Sequence, residues 1–301
     1  MKLNSRNIGG PTALVGAAFM YAMFGVFIRI MAHMWGNVAQ AAVRFALAAL
    51  IVIVFLYFRR QKIIFPKNKL KNVIALGLTF PFLVLLLTFS YRRTTIANTT
   101  FLLYAGSIIS AFLIGTFVLK ERINTTKIIA ILLALAGISL YSDSLLSVNS
   151  GIFLGLAAGL IDGVSNSLRK SLGGINRMAV LRIQYGVAGI LLIILTLISN
   201  ENIFIKFDFW SLVVTIIYAF LLIGLANLLL YGFHHTDVNI GTVVLSSELI
   251  FATIIGYLVY REVPSPHELI GGIFIFLASI LSSGNLRALF NKRKLVASGN
   301  T

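Results

Sequence analysis

Long apolar runs alternate with short polar or basic breaks along most of this chain. The runs fall at approximately 11–31, 38–58, 72–91, 97–119, 127–142, 151–169, 178–198, 210–232, 239–260 and 267–285. Each approaches the roughly 20 apolar residues that a membrane-crossing helix needs, so the pattern predicts ten transmembrane helices. The pattern is also stated twice. From Asn98 to Ser142 one run stops at Lys120-Glu121-Arg122 and another starts at Thr126; from Asn239 to Ser283 the same happens around Arg261-Glu262 and His267. One constant offset pairs Asn98 with Asn239, Gly115 with Gly256, Lys120 with Arg261 and Glu121 with Glu262. A slightly shorter offset pairs Gly25 with Gly163 and Arg44 with Arg182. Five spans per copy is an odd number, which inverts the second copy across the bilayer, as in many carriers.

The expected architecture is therefore an all-α integral membrane protein, two inverted five-helix repeats around a central cavity. The expected organisation is an N-terminal tail over 1–10, a first repeat over 11–142, a second over 151–285 and a basic C-terminal tail over 286–301. Local chemistry agrees with these limits. Asn124 is placed to cap the fifth span, and Ser265-Pro266-His267-Glu268 reads as a cap, a first-turn proline and a capping-box glutamate before the tenth. Pro81 falls inside the third span, where a membrane helix tolerates a kink. Lys2 and Arg6 precede an apolar run that continues to Met31 without a small-x-small cleavage signal, so it reads as the first span rather than a leader.

Composition narrows the class. With 58% hydrophobic residues, 11% charged ones and a mean hydropathy of +0.95, an ordinary soluble domain is excluded. There is no cysteine, so thiol nucleophiles, thiolate metal sites and disulfides drop out. No phosphate-binding G-x-x-x-x-G-K-[ST] loop is present. The net charge of +16 raises nucleic acid as a partner, and the distribution argues against it. Arg92, Arg93, Lys206 and Arg261 alone fall in connections expected outside, and Arg29, Arg44 and Arg182 fall within spans. All other Lys and Arg, Arg169 and Lys170 among them, fall in connections or tails expected inside. This bias predicts a multi-pass cell-membrane protein with both termini cytoplasmic, facing an anionic lipid leaflet and binding no nucleic acid. The turn at His234, His235 and Asp237 should also be inside yet carries no Lys or Arg.

Several stretches resemble the drug/metabolite transporter superfamily, EamA-like branch. Gln40-Ala41-Ala42 followed by Arg44-Phe45-Ala46-Leu47-Ala48-Ala49-Leu50 is similar to that family's second helix. Leu113 to Gly137, with Leu119-Lys120-Glu121-Arg122, resembles its fourth and fifth. Ser247-Glu248-Leu249 through Arg261-Glu262 and Ile270-Gly271-Gly272 resembles its ninth and tenth. The resemblance implies two inverted halves, with helices four and nine near the pseudo-twofold axis and five and ten behind them. Two departures stand out. Where the family often has prolines in helices four and nine, this chain has Ser107-Ile108 and Leu249; where it often has a tryptophan in helix one, this chain has Tyr21-Ala22-Met23-Phe24.

Ionisable groups inside spans are functional candidates by default. Arg44 and Arg182, matched by the repeat, can grip a carboxylate bidentately, or can snorkel at a membrane end. Glu248 lies near mid-membrane, where it can exchange a proton, bind an ammonium group or brace helices. Asp162, Ser165, Asn166 and Arg169 share one face of helix six at i, i+3, i+4 and i+7. Tyr21, Tyr104, Gln184, Tyr185 and Asn227 lie deep enough to line a pocket or to pack. Glu121 and Glu262 read as salt-bridged helix-end hinges. Gly106/Ser110, Ala111/Gly115 and Ala252/Gly256 are small-xxx-small pairs that favour a contact between helices four and nine. The adjacent His234 and His235 do not share a helix face, so no metal site, cofactor or enzymatic centre is expected.

The expected function is secondary transport of a small polar metabolite by alternating access, most readily export of amino acids or related compounds, by a monomer or weak homodimer. A multidrug or nucleotide-sugar carrier, and a lipid flippase, scramblase or membrane-embedded enzyme, remain the alternatives.

Overall fold

The computed structural model describes residues 6–60, 65–91, 93, 96–140, 150–199, 201–261, 263 and 265–282. The expectations for Glu262, Arg92, Lys62, Lys2 and the C-terminal tail lie outside these residues. Among the described residues the fold is all helix, apart from one isolated bridge between Trp35 and Phe204. In chain order the helices are α1 (Arg6–Ala22), α2 (Phe24–Met31), α3 (Asn37–Phe58), α4 (Leu70–Tyr91), α5 (Ile96–Leu113), α6 (Thr125–Ser139), α7 (Ser150–Ser171), α8 (Arg177–Ile198), α9 (Phe209–His235), α10 (Val238–Leu245), α11 (Glu248–Tyr260) and α12 (Pro266–Ser282). Seven helical stretches are long and apolar enough to cross a membrane, with α1–α2 and α10–α11 each counted as one. Three shorter apolar helices accompany them, Leu102–Val118, Thr125–Ser139 and Leu269–Leu281.

The distribution of side chains is that of a protein dissolved in lipid. Leu50, Tyr57, Phe58, Phe117, Ile190, Leu197, Phe220 and Leu258 are exposed, while Gln40, Arg44, Ser107, Ser165, Asn166, Arg169 and Asn239 are buried. In hydrocarbon the polar groups must turn inward to find partners. Two apolar clusters flank them. One gathers Phe45, Val52, Leu76, Leu181, Tyr185 and Tyr218, and the other Leu14, Tyr104, Ile108, Ile138, Phe233 and Val244.

Helix pairing is reciprocal between the two halves. Helix α1 packs on α9 and α11, and α7 packs on α4 and α5; α3 meets α8, and α6 meets α12. The backbone repeats too: Lys120 and Arg261, equivalent in the sequence repeat, both adopt left-handed conformations, with φ 55° and 58°. Asn124 caps α6 through its side chain, which accepts from Lys127 N at 2.9 Å, and Pro266 opens α12.

The expected contact through Gly106/Ser110 is displaced. These residues face α7, which presents Gly155, Gly159 and Gly163 at four-residue spacing. A Cβ on Gly159 would lie 2.8 Å from Leu102 O and 2.9 Å from Gly106 Cα; one on Gly163 would lie 2.6 Å from Ser107 O. Small residues on both helices let the backbones touch, and α5 settles on the longer glycine ladder. Ala252 is exposed. Helix four reaches helix nine lower down, where a Cβ on Gly115 would lie 3.7 Å from Asn239 N.

Two ends of the bundle are tied by polar loops. At one, Glu201 accepts from Val38 N and Ala39 N at 2.6 and 2.7 Å and so caps α3, and Ile205 N donates to Met34 O at 2.9 Å. Asp208 caps α9; hydrogen bonds from the Ser211 hydroxyl and backbone N–H hold its carboxyl below the usual range. At the other end, Lys69 Nζ donates to Ser171 O at 2.8 Å beside the lysine cluster described below.

Gly159→Val is expected to lower thermal stability in detergent by about 1–3 kcal/mol through overpacking of the α5–α7 contact. Gly186→Ala, where a Cβ meets nothing within 4 Å, should be neutral or stabilising, since alanine favours a helix interior. Equal melting temperatures for Gly159→Val and the parent protein would refute the close-contact account.

Candidate functional site

Two of the long helical stretches are interrupted deep in the bundle, and polar residues collect around the breaks. The first stretch breaks at Met23, between α1 and α2. The ninth breaks at Ser246-Ser247, between α10 and α11. Each of those serines donates its hydroxyl to a carbonyl one turn back, Val243 O and Val244 O, both at 2.7 Å. Such local bonds compete with the helical ladder and bend it. Glu248 is the first residue of α11, and Tyr21 stands just before the break in the first stretch.

Helix α5 reaches both sides of this region. Tyr104 donates to the Glu248 carboxylate. One turn on, Ser107 Oγ donates to Asp162 Oδ2 of α7 at 2.6 Å. Asn166 Nδ2 also donates to Asp162, at 3.1 Å, and Arg169 donates to Asn166 Oδ1. The polar stripe of α7 thus becomes a hydrogen-bonded track from Ser107 to Arg169, with Ser165 bonded sideways to Thr79 at 2.9 Å. Tyr21 is within electrostatic reach of Arg169, Asp162, Glu248 and Tyr218, and Glu248 is within reach of Asp162. Tyr21, Asp162 and Glu248 are half-buried and keep part of their surface accessible.

Arg44 lies to one side, 5% exposed, with its guanidinium 4.7 Å from the Tyr218 ring centroid. The ring of Tyr218 meets Phe24 at 4.6 Å, and Phe24 meets Tyr21 at 5.2 Å. An aromatic wall therefore runs from Arg44 toward the two carboxylates.

Other expected residues are placed elsewhere. Arg182 is exposed, so the repeat-matched pair of arginines does not share an environment. Tyr185 is buried in the apolar core against Phe45 and donates to Leu222 O at 2.5 Å. Gln184 is buried, and its backbone carbonyl faces α4, 3.1 Å from where a Cβ on Gly77 would lie. Asn227 bonds its own helix at Ile223 O, and its carbonyl accepts from Arg177. Arg29 is exposed. Arg169, read as a charge of the membrane end, is instead 2% exposed. Its i+7 relation to Asp162 was the signal for its inward position. Ser107 carried no such signal; only the approach of α7 gives it a partner.

The lysine end is closed by ion pairs. Asp237 accepts from Lys127 Nζ at 2.5 Å and from Lys170 Nζ at 3.3 Å. Lys170 also lies 3.5 Å from Glu121, whose Oε1 accepts from Val238 N at 2.7 Å and caps α10. The turn at His234–Asp237, which lacks Lys and Arg, thus sits among lysines of other elements. Partial burial pushes the Asp237 carboxyl up, but the Lys127 hydrogen bond and the Lys170 charge outweigh it and hold it below its ordinary value. A cavity of about 150 Å³ lined by Gly173, Arg177, Tyr231 and His234 opens near this end. It lacks the convergent buried charges of the central cluster, which is the stronger site. Among the described residues no three His, Asp or Glu side chains group as metal ligands.

Exposed apolar helices, a polar interior and interrupted helices define a multi-pass membrane protein built like a solute carrier. The chain belongs to the EamA-like transporter family, whose sequence model matches residues 9–142 and again 149–284. Among the solved structures, 28 chains match. One, described only as the crystal structure of a protein, aligns with a TM-score of 0.72 over 93% of this chain and 98% of its own, at 14% identity. That likeness concerns the fold alone. No curated protein matches the sequence.

Because Asp237 has a depressed folded-state pKa, its stabilising contribution is present above the ordinary carboxylate range near about pH 4 and is lost as pH falls through the folded value. Asp237→Asn should therefore lower the melting temperature at neutral pH, and the gap to wild type should shrink on acidification below that range. A gap independent of pH would remove the ion pairs from the account.

Proposed function

We propose that the protein is a secondary carrier of a small polar metabolite, with export of amino acids or related compounds across the cell membrane as its leading role. The observation that carries this reading is the meeting of Tyr104 with Glu248 and of Ser107 with Asp162. Residues of both halves converge there beside two helix interruptions, the setting in which carriers hold solutes near the bilayer midplane. A purely structural subunit has no need for carboxylates that keep accessible surface inside the bundle.

In this reading the ten apolar runs are ten spans, and the halves are inverted repeats with both termini cytoplasmic. The reciprocal pairing of α1 with α9 and α11, and of α7 with α4 and α5, supports that arrangement. So does the gathering of Lys69, Lys127 and Lys170 at one end. Alternating access then requires the Lys127–Asp237–Lys170 contacts to part in one state and re-form in the other. Glu248 is the candidate proton site, since it is a half-buried carboxylate within the bundle that accepts from the Tyr104 hydroxyl.

The test is flux by the purified protein in liposomes, across a panel of labelled amino acids and related metabolites, with and without a pH gradient. Wild type should transport at least one of them. Glu248→Gln should lose gradient-driven accumulation while retaining counterflow, and Ser107→Ala should weaken apparent affinity several-fold, as about 1 kcal/mol from one hydrogen bond implies. No flux across the panel together with scrambling of fluorescent lipid would overturn the carrier reading in favour of a lipid-moving protein.

A further inference from the structure

We propose that Arg44, with Gln40 and Tyr218, forms the subsite for a carboxylate on the carried molecule; this rests on the carrier reading above and specifies its substrate chemistry. Arg44 is 5% exposed, and its Nε and Nη1 are buried with no hydrogen-bond acceptor. One turn earlier on α3, Gln40 is equally buried, and its Oε1 has no donor. Across from them the Tyr218 hydroxyl is buried and unpartnered. Arg44 thus has two further unpartnered polar residues beside it, Gln40 one turn back on its own helix and Tyr218 under its guanidinium.

The physical argument is one of charge compensation. A buried guanidinium without an anion is strongly unfavourable, whereas one facing a carboxylate forms two parallel charge-assisted bonds. The other buried cations of the interior have their acceptors. Arg169 is bonded to Asn166 and lies within electrostatic reach of Asp162, and Lys127 is paired with Asp237. Arg44 has the π face of Tyr218 and, at 5.9 Å, that of Phe45, which ease burial of the cation but leave its Nε and Nη1 without acceptors. Five donors in a fixed fork match a planar carboxylate better than a spherical ion. Tyr218 can add a further O–H bond to that anion, and the Gln40 amide can donate to it from the nitrogen beside its unpartnered oxygen.

The surroundings say what else the molecule carries. From Tyr218 the aromatic wall continues through Phe24 to Tyr21, which senses Asp162 and Glu248. A solute with a carboxylate on Arg44 lays its body along this wall and turns a cationic or hydrogen-bonding group toward the two carboxylates. The subsite therefore selects acids over their amides.

The experiment uses the full-length protein in nanodiscs and reads thermal stabilisation, which reports ligand binding to the native state. The probes are matched pairs: each amino acid with its amide, acetate with acetamide and benzoate with benzamide, with phosphate and chloride as separate arms. At least one acid should stabilise wild type, with its amide at least about tenfold weaker, the loss expected for one charge-assisted hydrogen bond. Arg44→Gln should abolish the acid's effect, Arg44→Lys should weaken it by removing the fork while keeping the charge, and Lys206→Gln should leave it unchanged. The acid–amide comparison on wild type stands even where a variant does not fold. Equal binding of acid and amide, no stabilisation by any acid, or stabilisation by phosphate or chloride matching the best acid would overturn the proposal. Liposome flux separates it from the carrier reading. Acid-selective binding without flux retains the subsite and rejects the carrier, and Arg44-independent flux does the reverse.

Discussion

Helix α7 offers α5 a face without side chains, and the polar interior is arranged by the resulting contact. Gly155, Gly159 and Gly163 let the α5 backbone come close enough that Ser107 reaches Asp162 directly. The same rotation of α5 turns Tyr104, one turn earlier, toward Glu248 on α11. A bulkier α7 would hold α5 away and leave Asp162 without its serine partner in a medium that supplies none. Packing and polar satisfaction are therefore one constraint here, because the small residues that admit the backbone also complete the hydrogen bonds.

Charge is partitioned along the same logic. Lys127 and Lys170 at one end of the bundle are paired with Asp237 and Glu121, acids borne on other elements, so the end is sealed by contacts that exist only when those elements meet. In the interior, Arg169 is enclosed by Asn166 and the Asp162 network. Arg44 is set apart from every such partner and rests on an aromatic face. A closed end, two half-buried carboxylates and an uncompensated cation make an asymmetric interior, although the helices around it pair reciprocally.

The places where this chain departs from the usual family pattern coincide with that interior. Ser107 stands where helix four often has proline, and it donates to Asp162. Leu249 stands where helix nine often has proline, and the bend beside it comes from Ser246 and Ser247 bonding back to their own helix. Tyr21 and Phe24 replace the usual tryptophan region of helix one and supply the aromatic wall.

The sequence alone determined the helices, their near-complete placement and the doubled pattern. Runs long enough to span hydrocarbon leave the backbone little choice but to bond within itself. It also marked Asp162, Asn166 and Glu248, since charged or amide groups inside such runs have few tolerable positions. The tertiary structure decided which of the marked residues meet. Arg44 and Arg182 are equivalent in the repeat, yet one is buried on an aromatic ring and the other is exposed, because neighbouring helices and not the period of a helix set the environment of each face. Arg169 was legible as a member of a stripe, but its burial depended on what covered that stripe. Ser107 was marked only as a departure from the family's proline, and Tyr218 carries no distinguishing sequence signal. Their roles arise from contacts with residues far away in the chain, and only the packed bundle brings those within reach.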